Sequence, residues 1–408
     1  MKIGMRALLA IAVVAGVACG TEQRPQPAGS YDWLHADAGA GSTDEDQPLD
    51  PRWPTLLPLP PEFDLPPWVN LPAPDRIVVS WRTSEATRGG VRFHDLERDE
   101  VSVVLSPVPA YIHHVGLGEI PPGTPFEYEV FVDDTAATRA GVFVTPGRSD
   151  WRFMHIAEFH APTNAANVAR FTDLIRAFRP HVLVESGDMA DNGDNFEHWR
   201  SYLRTSAPWI SNVISLPAHS NHVNGFQGNG NFETLFALPG TERWYRTRYG
   251  QVEFFTLDST FNGVNPDIAS VQLDWLRSTP QRDAAFRIAA WHYPACSSHY
   301  ASRASERDWV MQNFVDTFAS IGGVDLILVG HDKYYERSII DGHILHVQTA
   351  TGKLAPSVAG DNQPRCRALS TRTDTRNIGL YWVSADEIGA VMADDRGLVL
   401  DTFAIEAW

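Results

Sequence analysis

The chain has 408 residues, 43% of them hydrophobic and 20% charged, enough apolar material for a large core, which excludes disorder over most of its length. With 50 Asp and Glu against 33 Lys and Arg the formal charge is −17. Nucleic acid and anionic lipid headgroups are thereby excluded as partners, because polyanions need a basic face.

Lys2 and Arg6 precede an apolar run from Ala7 to Val17, followed by "GVACG". This is an export signal over residues 1–19, too short to span a bilayer as a helix. The placement of Cys19 resembles the lipobox of bacterial lipoproteins, which implies a lipidated, membrane-anchored chain in the periplasm or at the cell surface. Gly16 departs from the bulkier residue usual there, so an ordinary cleaved signal is the second reading. Residues 20–70 are rich in Pro, Ala, Gly and acidic side chains without an apolar period, the composition of a flexible tether. Within them "WPTLLPLPPEF" admits another reading, an arm packed on the first domain.

Residues 71–148 change to short strands with turn signals. "RIVVSWRT" alternates, "FEYEVFV" puts Phe126, Tyr128, Val130 and Val132 on one face, and "PPGT" separates two strands. A small antiparallel β-sandwich is expected, with a scaffolding or docking role. His113 and His114 are adjacent, so they point to opposite faces of a strand and do not share a metal.

From residue 149 onward apolar strands alternate with helical segments, the pattern of an α/β core. "NVARFTDLIRAF" spaces Val168, Phe171, Leu174, Ile175 and Phe178 as a helix ended by Arg179-Pro180. "WVMQNFVDTFASIGG" does the same with Val310, Phe314 and Phe318 before Gly322. Five apolar runs each deliver a polar group at their C-terminal end, where α/β folds place sites. "FMHIAEFH" brings Glu158 and His160, and "HVLVESGD" brings Asp188. "VISLPAHSNH" carries Asn221 and His222, "FRIAAWH" His292, and "VDLILVGH" His331. Oxygen and nitrogen donors without thiolate suit Zn, Fe or Mn.

The order E-x-H, GD, NH, H-Y-P and GH-D-x-Y-Y-E-R resembles the calcineurin-like metallophosphoesterases, and within them the purple acid phosphatases. Their pattern runs D-x-H or D-x-G, G-D, G-N-H-D/E, H and G-H-x-H. The resemblance implies a four-layer α/β (α+β) metallophosphoesterase sandwich over 149–408 and a fibronectin type III-like sandwich over 71–148. It also implies one or two metal ions and a phosphate ester substrate. By position Asp188 is similar to the bridging carboxylate, while Asn221, His292 and His331 resemble the other ligands of one site. Glu158 and His160 belong to the second, and His222 resembles the histidine that protonates the leaving group.

Four departures, and a fifth at Asp191, surround that second site. Glu158 is one methylene longer than the family's Asp. Lys333 stands where the last histidine of G-H-x-H would be, and a protonated amine has no lone pair to give. It can instead occupy the vacated position, offset Glu158 and Asp188, and hold a phosphate oxygen. Ser220 and Val223 replace a glycine and an acidic residue, and Asp191 stands in place of a tyrosinate. The expected function is an exported metal-dependent phosphoesterase, most simply on monoesters, with His222 and Lys333 as its catalytic side chains. The alternative is an inactive surface lipoprotein that uses the same fold for binding. With Cys19 lipidated, Cys296 and Cys366 remain as a disulfide pair or as two free thiols. Oligomeric state is not legible.

Overall fold

The computed structural model describes residues 51–55, 58–133, 137–223, 230–260, 266–298, 303–355 and 363–407. The export signal, Cys19 and most of the tether expectation lie outside these residues. Strands β1 (Phe63–Ala73), β2 (Arg76–Thr87), β3 (Gly89–Asp95), β4 (Glu100–Leu105), β5 (Ala110–Glu119), β6 (Pro125–Val132) and β7 (Ala137–Val144) form the N-terminal part. They are followed by β8 (Trp151–Ile156), β9 (Val182–Glu185), β10 (Ile214–Pro217), β11 (Tyr245–Tyr249), β12 (Val252–Thr256), β13 (Phe286–Ala290) and β14 (Leu326–Val329). The last are β15 (Tyr335–Ile340), β16 (Ile344–Gln348), β17 (Cys366–Arg372), β18 (Ile378–Val383), β19 (Glu387–Ala393) and β20 (Val399–Glu406).

Three sheets result. A nine-stranded sheet runs β20-β19-β18-β8-β9-β10-β1-β2-β5, a seven-stranded one β11-β12-β13-β14-β16-β15-β17, and a four-stranded one β4-β3-β6-β7. The first two are parallel at their centres, β8 with β9, β9 with β10, and β12 with β13, β14 and β16 in turn. One core joins their inner faces through Phe153, Val182, Phe254, Ile288 and Leu328. A second lies between the seven-stranded sheet and helices at Pro266–Arg277 and 304–320, built on Phe255, Trp291, Phe314 and Phe318. With helices at Ala165–Ala169, Thr172–Phe178 and Phe196–Ile210 outside the other sheet, the order is helix, sheet, sheet, helix. Such layering buries one face of every element.

The N-terminal region differs from the expectation of a tether to residue 70 and a separate sandwich from 71. β1 begins at Phe63 and pairs in parallel with β10 at Val69 and Asn70. Leu65, Trp68, Val69 and Leu71 are fully buried, because β1 covers what would otherwise be an open edge of the large sheet. Pro66 and Pro67 sit in the register shift between Leu65 and Trp68, where a missing N–H is tolerated. β2 and β5 extend the same sheet, so only β3, β4, β6 and β7 form a layer of their own. Asp64 fastens β1 to the helix at Phe196–Ile210 through Arg200 and Arg204 at 2.8 and 2.9 Å, with Arg82 also in contact. "WPTLLPLPPEF" starts as an arm, but one packed on the helix Thr172–Phe178 and not on the first domain: Arg176 lies over the Trp53 ring and donates to the Pro54 carbonyl.

Phe126, Tyr128, Val130 and Val132 are all buried, as their alternation requires. His113 stacks on Trp81, whereas His114 bonds Ser80 and the Thr234 carbonyl from the other face. The helix expected through "NVARFTDLIRAF" breaks into two at Arg170 and Phe171, yet every periodic position is buried. The second long helix holds a π-turn at Met311–Val315, which keeps Val310, Phe314 and Phe318 in the core.

Candidate metal centre

The parallel strands of the two sheets point their C-terminal ends at one place. There β8 leads to Glu158 and His160, β9 to Asp188, β10 to His222, β13 to His292 and β14 to His331. Each strand stops in a sharp turn. Glu158, His160, Asp188, His331 and Lys333 all have positive φ, between 49° and 74°. Non-glycine residues pay for that conformation, and it concentrates where a site dictates the backbone. Gly187 has φ 96°, and a Cβ there would lie 2.6 Å from His292 Nδ1 and from Ser220 Cβ. The glycine lets two strand ends from different sheets meet at Asp188.

Asp188 is the centre. Its side chain is fully buried, with His292 Nε2 3.2 Å from Oδ1 and His160 Nε2 3.2 Å from Oδ2. Neither oxygen has an aligned hydrogen-bond donor. A buried carboxylate left so is costly unless something else satisfies it. His292 donates Nδ1–H to the Ser186 carbonyl at 2.8 Å, which turns Nε2 toward Asp188. His331 places Nδ1 3.1 Å from His292 Nε2.

Glu158 spans both halves of the site, with Oε1 taking the His331 backbone N–H and Oε2 lying 2.9 Å from His160 Nε2. His160 is held by Asp191, whose Oδ1 accepts from Nδ1 at 3.0 Å. His222 donates Nδ1–H to the Asp191 carbonyl at 2.7 Å and keeps Nε2 3.9 Å from Asp188 Oδ2. Lys333 Nζ sits 3.3 Å from Glu158 Oε2 and donates to the His331 carbonyl at 2.8 Å.

The charges follow from this packing. Burial would raise Glu158, but the Lys333 ammonium and His160 hold it well below the usual carboxylate range. Burial would lower Lys333, yet Glu158 and Asp188 raise it, so the ammonium is charged. His160 is lifted to about 9 by Asp188 and Glu158 against the pull of burial. His331 goes the other way: burial first, then the cations His292, Arg303 and Lys333, keep it neutral.

Among the described residues, two groups of side chains bring ligand atoms within 4.8 Å of one another, Glu158 with Asp188 and His292, and His160 with Asp188 and His222. An open carboxylate, an imidazole Nε2 aimed by the Nδ1 hydrogen bond and neutral His331 are the kinds of group a divalent ion takes once it displaces protons. The structure thus assembles Glu158, His160, Asp188, His222, His292 and His331 and puts Lys333 among them. Asn221 is exposed, unlike the buried carboxylates. His222 stands beside the donors of His160 and Asp188 and is partly exposed. Asp191 and Ser220 act in ways their departure from a motif does not suggest. Asp191 orients two histidines, and Ser220 Oγ accepts the Asp188 N–H at 2.9 Å. The spacing of Asp191, three residues after Asp188, is the one signal that could have marked it. Cys296, four residues past His292, is bonded to Cys366 at the start of β17 with Cα atoms 5.8 Å apart, pinning the loop that follows β13.

Residues 152–335 match the family described as calcineurin-like phosphoesterase. That stretch, rather less than half of the chain, is similar to a domain of that family. Among solved structures, a purple acid phosphatase from yellow lupin (Lupinus luteus) seeds aligns with a TM-score of 0.67 at 16% identity, covering 83% of this chain and 74% of its own. PhoD aligns at 0.61 and 11% identity, covering 83% of this chain and 87% of its own. These likenesses establish a shared fold that extends past the matched domain. No match was found among curated proteins.

Proposed function

We propose that the protein is an exported metal-dependent phosphoesterase acting on phosphomonoesters, in which the Lys333 ammonium takes the place of one of two ions. The observation that carries this reading is the position of Nζ, 3.3 Å from Glu158 Oε2 and beside the buried Asp188. A charge already stands where the family's pattern calls for another. Asp188, His292, His331 and Glu158 would hold a single divalent ion, with Asn221 at the rim. Bound there, such an ion supplies Lewis-acid polarisation and a nucleophile at neutral pH.

The side chains do the rest. Lys333, 14% exposed, and His222, 33% exposed, are the open faces of an otherwise buried cluster, so substrate approaches from their side. Lys333 binds a non-bridging phosphate oxygen as a point charge. His222, with Nδ1–H fixed on the Asp191 carbonyl, donates from Nε2 to the departing alkoxide when protonated. The Cys296–Cys366 disulfide and the signal-like N-terminus support an oxidising, extracytoplasmic location.

The test is metal stoichiometry by mass spectrometry on protein purified without chelators and re-equilibrated with mixed divalent ions, alongside hydrolysis of an aryl phosphate and an aryl diester. One ion per chain with monoester turnover is the expected result. Two ions would remove the assigned role of Lys333. No ion and no hydrolysis would return the alternative, a phosphoesterase fold used only for binding.

A further inference from the structure

Seven large apolar side chains stand exposed among the described residues, and five of them, Val101, Val103, Leu105, Val108 and Tyr111, fall on one flank. They are between 52% and 65% exposed. Val101, Val103 and Leu105 alternate along β4 and so share one face. β4 is the outermost strand of the four-stranded sheet, paired with β3 on one side only.

Soluble proteins guard such an edge with lysine, proline, a bulge or a covering loop. "VSVVL", Val101 to Leu105, has none of these within it, and its pairing with β3 is regular from Glu100 to Leu105. The opposite edge of the same sheet is treated differently. There the Val142 N–H donates to Asn212 Oδ1 at 3.1 Å, while Tyr128 on the adjacent strand donates to the Ser211 carbonyl at 2.7 Å. One edge is tied into the rest of the molecule and the other is left apolar and open.

We propose that β4 is the contact of a two-fold homodimer, pairing antiparallel with β4 of a second copy into an eight-stranded sheet. The register and the strand's sparse charge select this occupant. With Val103 on the two-fold axis, Val101 faces Leu105, Ser102 faces Val104, and Glu100 faces Ser106, so no like charges meet. On a chain of formal charge −17 a self-contact must lie where carboxylates are sparse, and β4 carries Glu100 alone. The symmetry closes, since both copies use the same edge of that sheet, and a dimer rather than a fibre results. Pro107 and Pro109 end the ladder, and Val108 and Tyr111 widen the contact beyond it.

Sedimentation velocity of the full-length chain over a concentration series tests this. A reversible dimer is expected. Val103→Lys should weaken it roughly a hundredfold or more, because a cross-strand pair of apposed valines is lost and two ammonium groups meet on the axis. Leu398→Lys, on an unrelated exposed apolar residue, should leave it unchanged. Val103→Cys under mild oxidation should yield a dimer whose cross-linked peptide, identified by mass spectrometry, joins position 103 to its own copy. A chain monomeric at every concentration overturns the proposal, as does a dimer indifferent to Val103→Lys. Slow amide exchange over Val101–Leu105 that appears only with another protein present would also overturn it and assign the edge to a foreign strand.

Discussion

The two oxygens of Asp188 look onto unlike surroundings. Around Oδ1 stand His292, aimed by a backbone carbonyl, and His331, kept neutral by burial and nearby cations. Around Oδ2 stand His160, raised to about 9, and Glu158 with the Lys333 ammonium 3.3 Å away. One half presents two imidazoles to an open carboxylate oxygen; the other holds an ammonium against Glu158. The same strand-end architecture serves both, so the difference lies in a single side chain two residues past His331.

Substitutions should break this asymmetry in order of size. His292→Ala removes an aimed imidazole and should abolish both bound metal and turnover, whereas His160→Ala should leave one ion per chain and reduce turnover only in part. Metal content and turnover measured on the same preparations decide it. Lys333→Met strips the partner from buried Glu158 and should cost about 3 kcal/mol of stability, read by denaturant unfolding and largely recovered on adding a divalent ion. Lys333→His combined with Glu158→Asp should raise the stoichiometry to two.

Asp191→Asn should weaken metal binding on the His160 side about tenfold, as loss of an orienting carboxylate does, without moving the midpoint of unfolding. That is measured by competition with a chelator in the Lys333→His, Glu158→Asp background.

The smallest effect concerns Glu185, which sits at the end of β9 three residues before the site. Burial lifts it to about 8, with Tyr202 donating to Oε1 at 2.5 Å. The folded state therefore binds the proton more tightly than the unfolded chain, for which the ordinary value of 4.5 applies. The resulting stability is fully present below that value and lost as pH rises through about 8. Glu185→Gln should raise the melting temperature at alkaline pH by a few degrees and flatten its pH dependence, as scanning calorimetry would show.

Much of the site is legible in the sequence because it rests on local rules. An apolar run followed by a polar residue says where a strand ends, and five such runs name Glu158, Asp188, His222, His292 and His331 before any contact is known. The periodic positions Val168, Leu174, Val310 and Phe314 are likewise read correctly, since burial of one helix face follows from spacing alone. What escaped were pairings between distant segments. Phe63 to Leu71 reads as the end of a proline-rich tether because its prolines mask the strand, and only the open flank of β10 explains why it is buried. Asp191 looks like a lost ligand until His160 is seen 3.0 Å away.

The sequence by itself determined the order of the strands, the donor types they deliver and the presence of a lysine where an imidazole is expected. Each of these depends on residues within one turn of each other. Tertiary structure decided which oxygen of Asp188 each histidine faces, that Lys333 points at Glu158, and that β1 belongs to the large sheet. Those outcomes depend on side chains from separate strands meeting within 3–4 Å, a distance no one-dimensional period encodes.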